Sequence, residues 1–268
     1  MENIHHYILN YLAPFCVGAC MGSFFNVCIY RMPLGRSVMY PGSHCSACGT
    51  PLPWTQNIPI FAWFYLKGRA ACCGARLDFR YPLVEFLTAV LFLVIWQLYS
   101  PWLAVIYCAL TGALIVGSFI DLDHFILPDE ITVGGIVAGL ILCFLVPEMQ
   151  GADSHWQALK LSAIGAGTGF GVLWLIAIIG TFALRKEAMG FGDVKLMGAL
   201  GAFFGWPCVP YMIAVSSILG SVIGGVLLLR SRRKLGIPIP FGPFIALAAL
   251  TWLLGGNEWM MEYLSFLP

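Results

Sequence analysis

Long apolar stretches recur along the whole chain and restrict it to folds that satisfy their backbone hydrogen bonds inside a lipid bilayer. Hydrophobic residues make up 60% of the 268 positions and charged residues 10%, which lies outside the usual range of soluble domains. Segments long enough to cross roughly 30 Å of hydrocarbon are found at about 9–30, 83–99, 102–120, 131–147, 158–184, 193–207, 208–229 and 239–255. The sequence therefore predicts an all-α integral membrane protein with about eight transmembrane helices.

The basic residues indicate how this bundle is oriented. The first, fifth and seventh connections and the start of the sixth span hold 13 of the 14 Lys and Arg residues: Arg31, Arg36, Lys67, Arg69, Arg76, Arg80, Arg185, Lys186, Lys195, Arg230, Arg232, Arg233 and Lys234. Because cytoplasmic loops are enriched in Lys and Arg, these connections are predicted to face the cytoplasm and both termini the opposite side. A net charge of +1 gives no basis for a nucleic-acid partner, so the partner implied by composition is the bilayer.

The only sizeable hydrophilic segment of the sequence is residues 31–82, which are rich in Pro, Gly and Cys. This segment is too short to build a large apolar core and needs another source of stability. The predicted organisation is a first transmembrane helix at 1–30, a cytoplasmic loop domain at 31–82 and a seven-helix core at 83–268.

Four cysteines in this loop suggest what stabilises it. Cys45 and Cys48 form a CxxC pair, and Cys72 and Cys73 follow as an adjacent pair. Cytoplasmic thiols stay reduced, and clustered thiolates in a loop without a core indicate a structural Zn²⁺ site. Free thiols or a redox pair are the alternative, and His44 is a further candidate ligand.

Two aspartates at the edges of predicted spans are the charges that packing does not explain. Asp121 ends the third span and Asp193 begins the sixth, and topology places both at the cytoplasmic side. An ionisable group within a span indicates function. Two neighbouring carboxyl groups share a proton, so that one activates water as a base and the other protonates the leaving group. This is the chemistry of aspartic peptide-bond hydrolysis.

The stretch around Asp193 also leaves a structural alternative open. Gly190 and Gly192 would free the backbone before the helix and let an extended substrate approach. Asp193 could instead be a helix N-cap and Asp121 an interface charge, and spacing alone does not decide between these interpretations. Asp129 is predicted to cap the fourth span, and Lys195 is given no role beyond reaching the membrane interface.

Seven fragments in a fixed order connect the chain to a known family. They are "GSFFNVCIYRMP", "HCSACG", "NIPIFAWFYLKGR", "RYPLVE", "IDLDHFILPDEIT", "RKEAMGFGDVKLMGALGAFFGW" and "PFGPF". Together they resemble the type IV prepilin peptidases of the GxGD membrane aspartyl protease group. The resemblance implies that Asp121 and Asp193 are the catalytic pair of a bacterial inner-membrane enzyme with its active site facing the cytoplasm.

The resemblance also implies the substrates. Such an enzyme removes a short basic leader after a glycine from prepilins or type II secretion pseudopilins. It then methylates the new N-terminal residue, usually phenylalanine, with S-adenosylmethionine. Which of the two clients applies, and the oligomeric state, do not follow from the sequence.

Two parts of the resemblance are incomplete. Many relatives carry a second CxxC, but here Ala70 stands at the third cysteine position, which makes Cys72 the expected replacement. No glycine-rich nucleotide-binding loop is present to locate the methyl donor. Asn26, Arg80 and Glu85, polar residues in matched motifs, are candidates for that site, with interface anchoring as the alternative role.

Two other classes of function compete with the peptidase. Carboxylates in spans also mark ion pathways, so a transporter or channel could use Asp121 and Asp193 as a proton or cation relay. A scaffold protein of a secretion apparatus, with the zinc loop as its docking module, is the second alternative.

Overall fold

The part of the chain that can be described is mainly helical. The computed structural model describes residues 8–187, 189–231 and 239–265, and these ranges contain no β-strand. The α-helices of nine or more residues are α1 (Ala13–Arg31), α2 (Arg80–Leu98), α3 (Pro101–His124), α4 (Asp129–Leu145), α5 (His155–Leu184), α6 (Phe191–Phe204), α7 (Cys208–Ser231), α8 (Gly242–Thr251) and α9 (Asn257–Ser265). The predicted cytoplasmic residues Arg232, Arg233 and Lys234 lie outside the described residues, as do the Arg230 side chain, residues 1–7 and residues 266–268.

Each predicted apolar stretch coincides with a helix. The helical segments long and apolar enough to cross a membrane number five in the described chain: Ile8–Leu34, Arg80–Leu98, Pro101–His124, His155–Leu184 and Cys208–Val226. The remaining three stretches form α4, α6 and α8, which have 17, 14 and 10 residues. The prediction of an all-α membrane protein is therefore confirmed.

The chain divides into two compact units, Met1–Val116 and Gly117–Pro268. In the first unit, α1 and α2 pack closely because Gly18 and Gly22 lie one helical turn apart on the same face of α1. A Cβ atom on Gly18 would lie 2.7 Å from the Ala89 Cα, and one on Gly22 would lie 2.6 Å from the Glu85 Cα. Small residues at this spacing let helix backbones approach each other in lipid.

The second unit is built around α6. Although this helix has only 14 residues, ten of them are buried. Glycines on the neighbouring helices provide the necessary space: Gly165 and Gly169 of α5 meet the α6 backbone, and a Cβ atom on Gly139 of α4 would lie 2.7 Å from the Ala202 Cβ. Because α6 is enclosed by close backbone contacts, it cannot shift without disturbing both neighbours.

The C-terminal end of α6 is also held by hydrogen bonds. The last carbonyl groups of a helix have no partner within the helix and need one elsewhere. Here the Ser162 hydroxyl donates to the Ala202 carbonyl at 2.7 Å, and the Gln150 amide donates to the carbonyls of Ala202 and Phe203 at 3.2 Å each. These bonds fix the C-terminal end of α6. Asp193 lies in the first turn, at the opposite end of the helix.

The α5–α6 contact gives a direct test of this packing. Gly201→Ala would place a methyl group against the Gly165 backbone, and we expect it to destabilise the protein by about 1–3 kcal/mol through overpacking. The matched control is Gly167→Ala, because no atom lies within 4 Å of its added Cβ. Thermal unfolding in detergent, followed by helical circular dichroism, should show a lower midpoint for Gly201→Ala alone. Equal midpoints for the two variants would contradict the packing.

Candidate functional site

Asp121 lies near the end of α3 and is 6% exposed. Its Oδ2 atom accepts a hydrogen bond of 3.0 Å from the backbone N–H of Gly242, the first residue of α8. A buried carboxylate requires such a donor, and the N-terminal end of a helix carries partial positive charge. A residue 121 positions away in the sequence thus stabilises the Asp121 carboxylate.

Asp193 lies in the first turn of α6 and is also 6% exposed. Helix α6 begins at Phe191 with Gly190 as its N-cap, so Asp193 does not occupy the capping position that the structural alternative gave it. Its carboxyl group lies within electrostatic range of Asp121. The structure therefore brings together the two aspartates named from the sequence, with Asp193 in the first turn of α6 and Asp121 facing the N-terminal end of α8.

Leu127 forms a wall of this site that the sequence did not reveal. A Cβ atom on Gly192 would lie 3.0 Å from the Leu127 Cβ, and one on Gly242 would lie 3.3 Å from the Leu127 Cδ1. Leu127 thus packs against the backbones of both glycines. Leu127 and Gly242 lie in the quoted motifs "IDLDHFILPDEIT" and "PFGPF", but neither carries a reactive group that could have identified its role.

Gly190 has a different environment from Gly192. A Cβ atom on Gly190 would lie 3.3 Å from the Asp193 Oδ2, so any side chain there would crowd the carboxyl group. The backbone of Gly190 is extended, with φ −66° and ψ 140°, a conformation open to other residues. Glycine is therefore suited to position 190 because it lacks a side chain, and not because of an unusual backbone angle.

Lys195 has a role that the sequence did not predict. Its ammonium group forms a 2.7 Å ion pair with Asp129, the first residue of α4. The same group lies 5.2 Å from the centre of the Phe191 ring, within the range of a cation–π contact. These contacts connect the first turn of α6, which carries Asp193, to the start of α4.

The four loop cysteines converge on one point. The sulfur atoms of Cys45, Cys48, Cys72 and Cys73 all lie within 4.8 Å of one another. Cys45 and Cys73 are 3.7 Å apart and Cys48 and Cys72 are 3.3 Å apart. A tetrahedral ion with sulfur ligands about 2.3 Å away would separate each pair by roughly 3.8 Å. The cluster could therefore hold a metal ion, and His44, whose Nδ1 is hydrogen-bonded to the Gly42 carbonyl at 3.0 Å, is not among the residues that converge on it.

Two similar turns build the cluster and explain the departure at Ala70. In the first turn, the Cys45 N–H donates to the Thr50 carbonyl at 2.9 Å, and the Ala70 N–H donates in the same way to Ala75 at 2.8 Å. Gly49 and Gly74 close the two turns with φ of 72° and 71°. Ala70 therefore occupies the position equivalent to Cys45, and Cys72 supplies the remaining thiol from inside the turn.

Two of these thiols differ strongly in pKa. Hydrogen bonding to Thr50 lowers the pKa of the Cys48 thiol to about 6. Hydrogen bonding to Cys48 raises the pKa of Cys72 to about 12, so the proton between the two sulfurs stays on Cys72. A divalent cation would stabilise both as thiolates, since metal-bound thiols are deprotonated.

The three candidates for the methyl-donor site are not all brought together. Asn26 and Glu85 line a single cavity of about 200 Å³ in the first unit. Arg80 is not among the residues that line this cavity. The structure thus groups two of the three candidates around one cavity.

Comparison with known proteins identifies the family. Residues 16–99 match the bacterial peptidase A24 N-terminal domain, and residues 108–225 match the type IV leader peptidase family. The chain belongs to the type IV leader peptidase family. The first match covers the cysteine cluster and the second covers Asp121 and Asp193.

Several curated members of the leader peptidase family resemble most of the chain. A protein of Aeromonas salmonicida (strain A449), named prepilin leader peptidase/N-methyltransferase, is 35% identical over 94% of this chain and 92% of its own length. Proteins of the same name from Pseudomonas aeruginosa and Myxococcus xanthus are 33% and 38% identical, over 95% and 82% of this chain and 93% and 63% of their own lengths. No solved structure matches the chain at a significant level.

Metal binding by the cysteine cluster of this leader peptidase family member can be tested by moving one thiol. We expect Cys72→Ser to weaken metal binding by at least about tenfold, since it removes one of four thiolates. Adding Ala70→Cys to that variant should restore the metal, because Ala70 occupies the position equivalent to Cys45. Metal per protein is measured by mass spectrometry of the purified protein.

A third variant serves as the control for these two. Cys20→Ser changes an exposed cysteine of α1 and should leave the metal content unchanged. If Cys72→Ser keeps its metal, or if the double variant fails to regain it, the assignment of the fourth ligand is wrong.

Proposed function

We propose that this protein is a membrane aspartic endopeptidase that removes the leader of type IV prepilins or type II secretion pseudopilins after a glycine. It then methylates the new N-terminal residue with S-adenosylmethionine. The observation that carries the proposal is the pair of buried carboxyl groups, Asp121 and Asp193, in a chain of the type IV leader peptidase family. The relatives named above are peptidases and N-methyltransferases, and the transporter alternative finds no support among them.

The surroundings of the two aspartates suggest which of them acts as the base and which as the acid. The Gly242 N–H stabilises Asp121 as an anion, which suits a base that removes a proton from water. Asp193, buried beside that anion, then holds the proton as the acid. The water oxygen attacks the carbonyl carbon of the scissile bond, and Asp193 protonates the leaving nitrogen as the C–N bond breaks. The products are the free leader, which ends in a carboxylate, and a pilin with a new amino group.

The glycines beside Asp193 suggest where the substrate lies. Gly190 and Gly192 carry no side chain between Asp193 and an approaching backbone, so an extended substrate could reach the carboxyl group there. Leu127 limits this space on one side by packing against Gly192. We therefore assign Gly190 and Gly192 to substrate binding.

The membrane arrangement follows from the same proposal. Eight spans place both termini on the periplasmic side of the bacterial inner membrane and the aspartates toward the cytoplasm, where unprocessed leaders are found. The loop domain at 31–82 is stabilised by Zn²⁺, for which four thiolates are typical ligands. Convergence of the four cysteine sulfurs supports this assignment.

Methylation is the second step. The new amino group attacks the methyl carbon of S-adenosylmethionine, the C–S bond breaks, and the amine proton passes to water as S-adenosylhomocysteine is released. The relatives' name supports this activity, and Asn26 and Glu85, which line one cavity, are the proposed residues of the donor site.

Replacing each aspartate tests the peptidase directly. Asp121→Asn and Asp193→Asn should each abolish leader removal from a prepilin in detergent, because the pair loses either its base or its acid. Asp123→Asn is the matched control, since Asp123 lies on the same helix as Asp121 but is exposed. Cleavage is followed as a mobility shift on a gel. Leader release by either single variant, with the same helical content as wild type, would exclude the pair as the catalytic groups.

The Gly242 contact allows a second test. A Cβ atom on Gly242 would lie 2.7 Å from the Asp121 Oδ2, so Gly242→Ala should displace the carboxylate and lower kcat by on the order of 100-fold. KM for prepilin should change little, because the substrate-binding glycines are untouched. Gly225→Ala, whose added Cβ has no neighbour within 4 Å, should retain wild-type kcat. A raised KM with normal kcat for Gly242→Ala would contradict a positioning role for Gly242.

A further inference from the structure

The cavity in the first unit has walls from three parts of the chain. It lies between the second half of α1, the start of α2 and the loop that carries the cysteines, and its volume is about 200 Å³. Its lining includes Ser23, Asn26, Tyr30, Trp63, Tyr81 and Glu85. A cavity of this size is below the usual range for a whole small ligand, so a bound ligand would extend through its open side, and an extended peptide would not fit.

Glu85 gives this cavity a buried negative charge. Glu85 is 8% exposed, and its carboxylate accepts hydrogen bonds from the backbone N–H of Ile60 at 2.6 Å and from the Ser23 hydroxyl. Both of these donors are neutral. A buried carboxylate without a cationic partner is costly, so a positively charged ligand would be favoured beside it.

Arg31, a cationic residue of the cavity wall, is hydrogen-bonded to groups other than Glu85. Arg31 lines the cavity and is 6% exposed. Its guanidinium group donates to the Ser37 carbonyl at 3.1 Å and to the Gly42 carbonyl at 3.2 Å. Arg31 thereby holds the loop in place, and the structure shows it bonded to backbone oxygens instead of to Glu85.

The cavity wall also contains aromatic side chains. Trp63 is held by a hydrogen bond of 3.3 Å from its indole N–H to the Leu77 carbonyl and by an edge contact with Phe79, with 5.4 Å between ring centres. The Asn26 amide is oriented by a bond of 3.1 Å to the Tyr81 carbonyl. A fixed indole beside an oriented amide is suited to a flat heterocycle that carries hydrogen-bonding groups.

We propose that this cavity binds S-adenosylmethionine, with Glu85 facing the positively charged part of the molecule and Trp63 contacting its adenine ring. The donor combines a cationic sulfonium and ammonium with a purine, which are the two chemistries that the cavity complements. The inference rests on the methyltransferase activity in the proposed function, and it excludes Arg80 from direct contact with the donor.

Binding of the donor can be measured without any substrate protein. Full-length protein in detergent is titrated with radiolabelled S-adenosylmethionine. Glu85→Gln and Trp63→Ala should each weaken binding by at least about tenfold, whereas Trp63→Phe should lose less because it keeps an aromatic face. Glu148→Gln, an exposed carboxylate of the second unit, is the control and should bind like wild type. Unchanged metal content in Glu85→Gln verifies that the loop remains folded.

Leader cleavage separates this inference from the proposed function. Glu85→Gln should cleave prepilin at the wild-type rate but fail to methylate it at limiting donor concentration. Asp121→Asn should show the reverse, binding the donor normally without cleaving. If wild type cleaves prepilin but binds no donor, the cavity assignment fails while the peptidase stands.

Two further outcomes would overturn the assignment. Ultraviolet crosslinking of the labelled donor should mark peptides from residues 23–85, and a label confined to 117–268 would place the site elsewhere. If Glu85→Gln raises KM for the cleaved pilin but leaves donor affinity unchanged, the cavity holds the acceptor amine and not the donor.

Discussion

Close backbone contact between α5 and α6 is the constraint on which the second unit depends. Lipid offers no hydrophobic force to join two apolar helices, so association relies on packing and on satisfied polar groups. Gly165 and Gly201 meet backbone to backbone, and the hydroxyl of Ser162, from the same helix as Gly165, binds the Ala202 carbonyl of α6. A helix of only 14 residues is thereby held firmly enough to present Asp193 at its first turn.

The aspartate site uses helix ends as its electrostatic support. Asp193 lies in the first turn of α6, and Asp121 accepts a bond from the first residue of α8. Helix N-termini stabilise negative charge, which offsets part of the cost of burying two carboxyl groups. Leu127 packs beside Gly192 and Gly242. Because these two residues have no side chain, Leu127 can lie next to the helix ends and form an apolar wall of the site.

Much of the site could be predicted because its chemistry is concentrated in a few residue types. Asp121, Asp193 and the four cysteines stood out as charges or thiols where apolar packing does not need them. Lys195 could not be explained, since its partner Asp129 begins a different helix. Gly242 and Leu127 were missed because a backbone N–H and an aliphatic wall leave no compositional signal. The number of membrane spans remains a prediction, since three of the helices are short.

The sequence by itself determined the class of the protein, the helical segments and the identity of the reactive groups, because hydropathy and ionisable side chains are local properties. Tertiary structure decided which groups meet. It joined Asp121 to Gly242 across 121 positions, brought the Cys72 sulfur within 4.8 Å of the other three cysteine sulfurs, and placed Glu85 and Trp63 in the wall of one cavity. These relations depend on how closely helices and turns approach, and that distance is decided by packing between residues far apart in the chain.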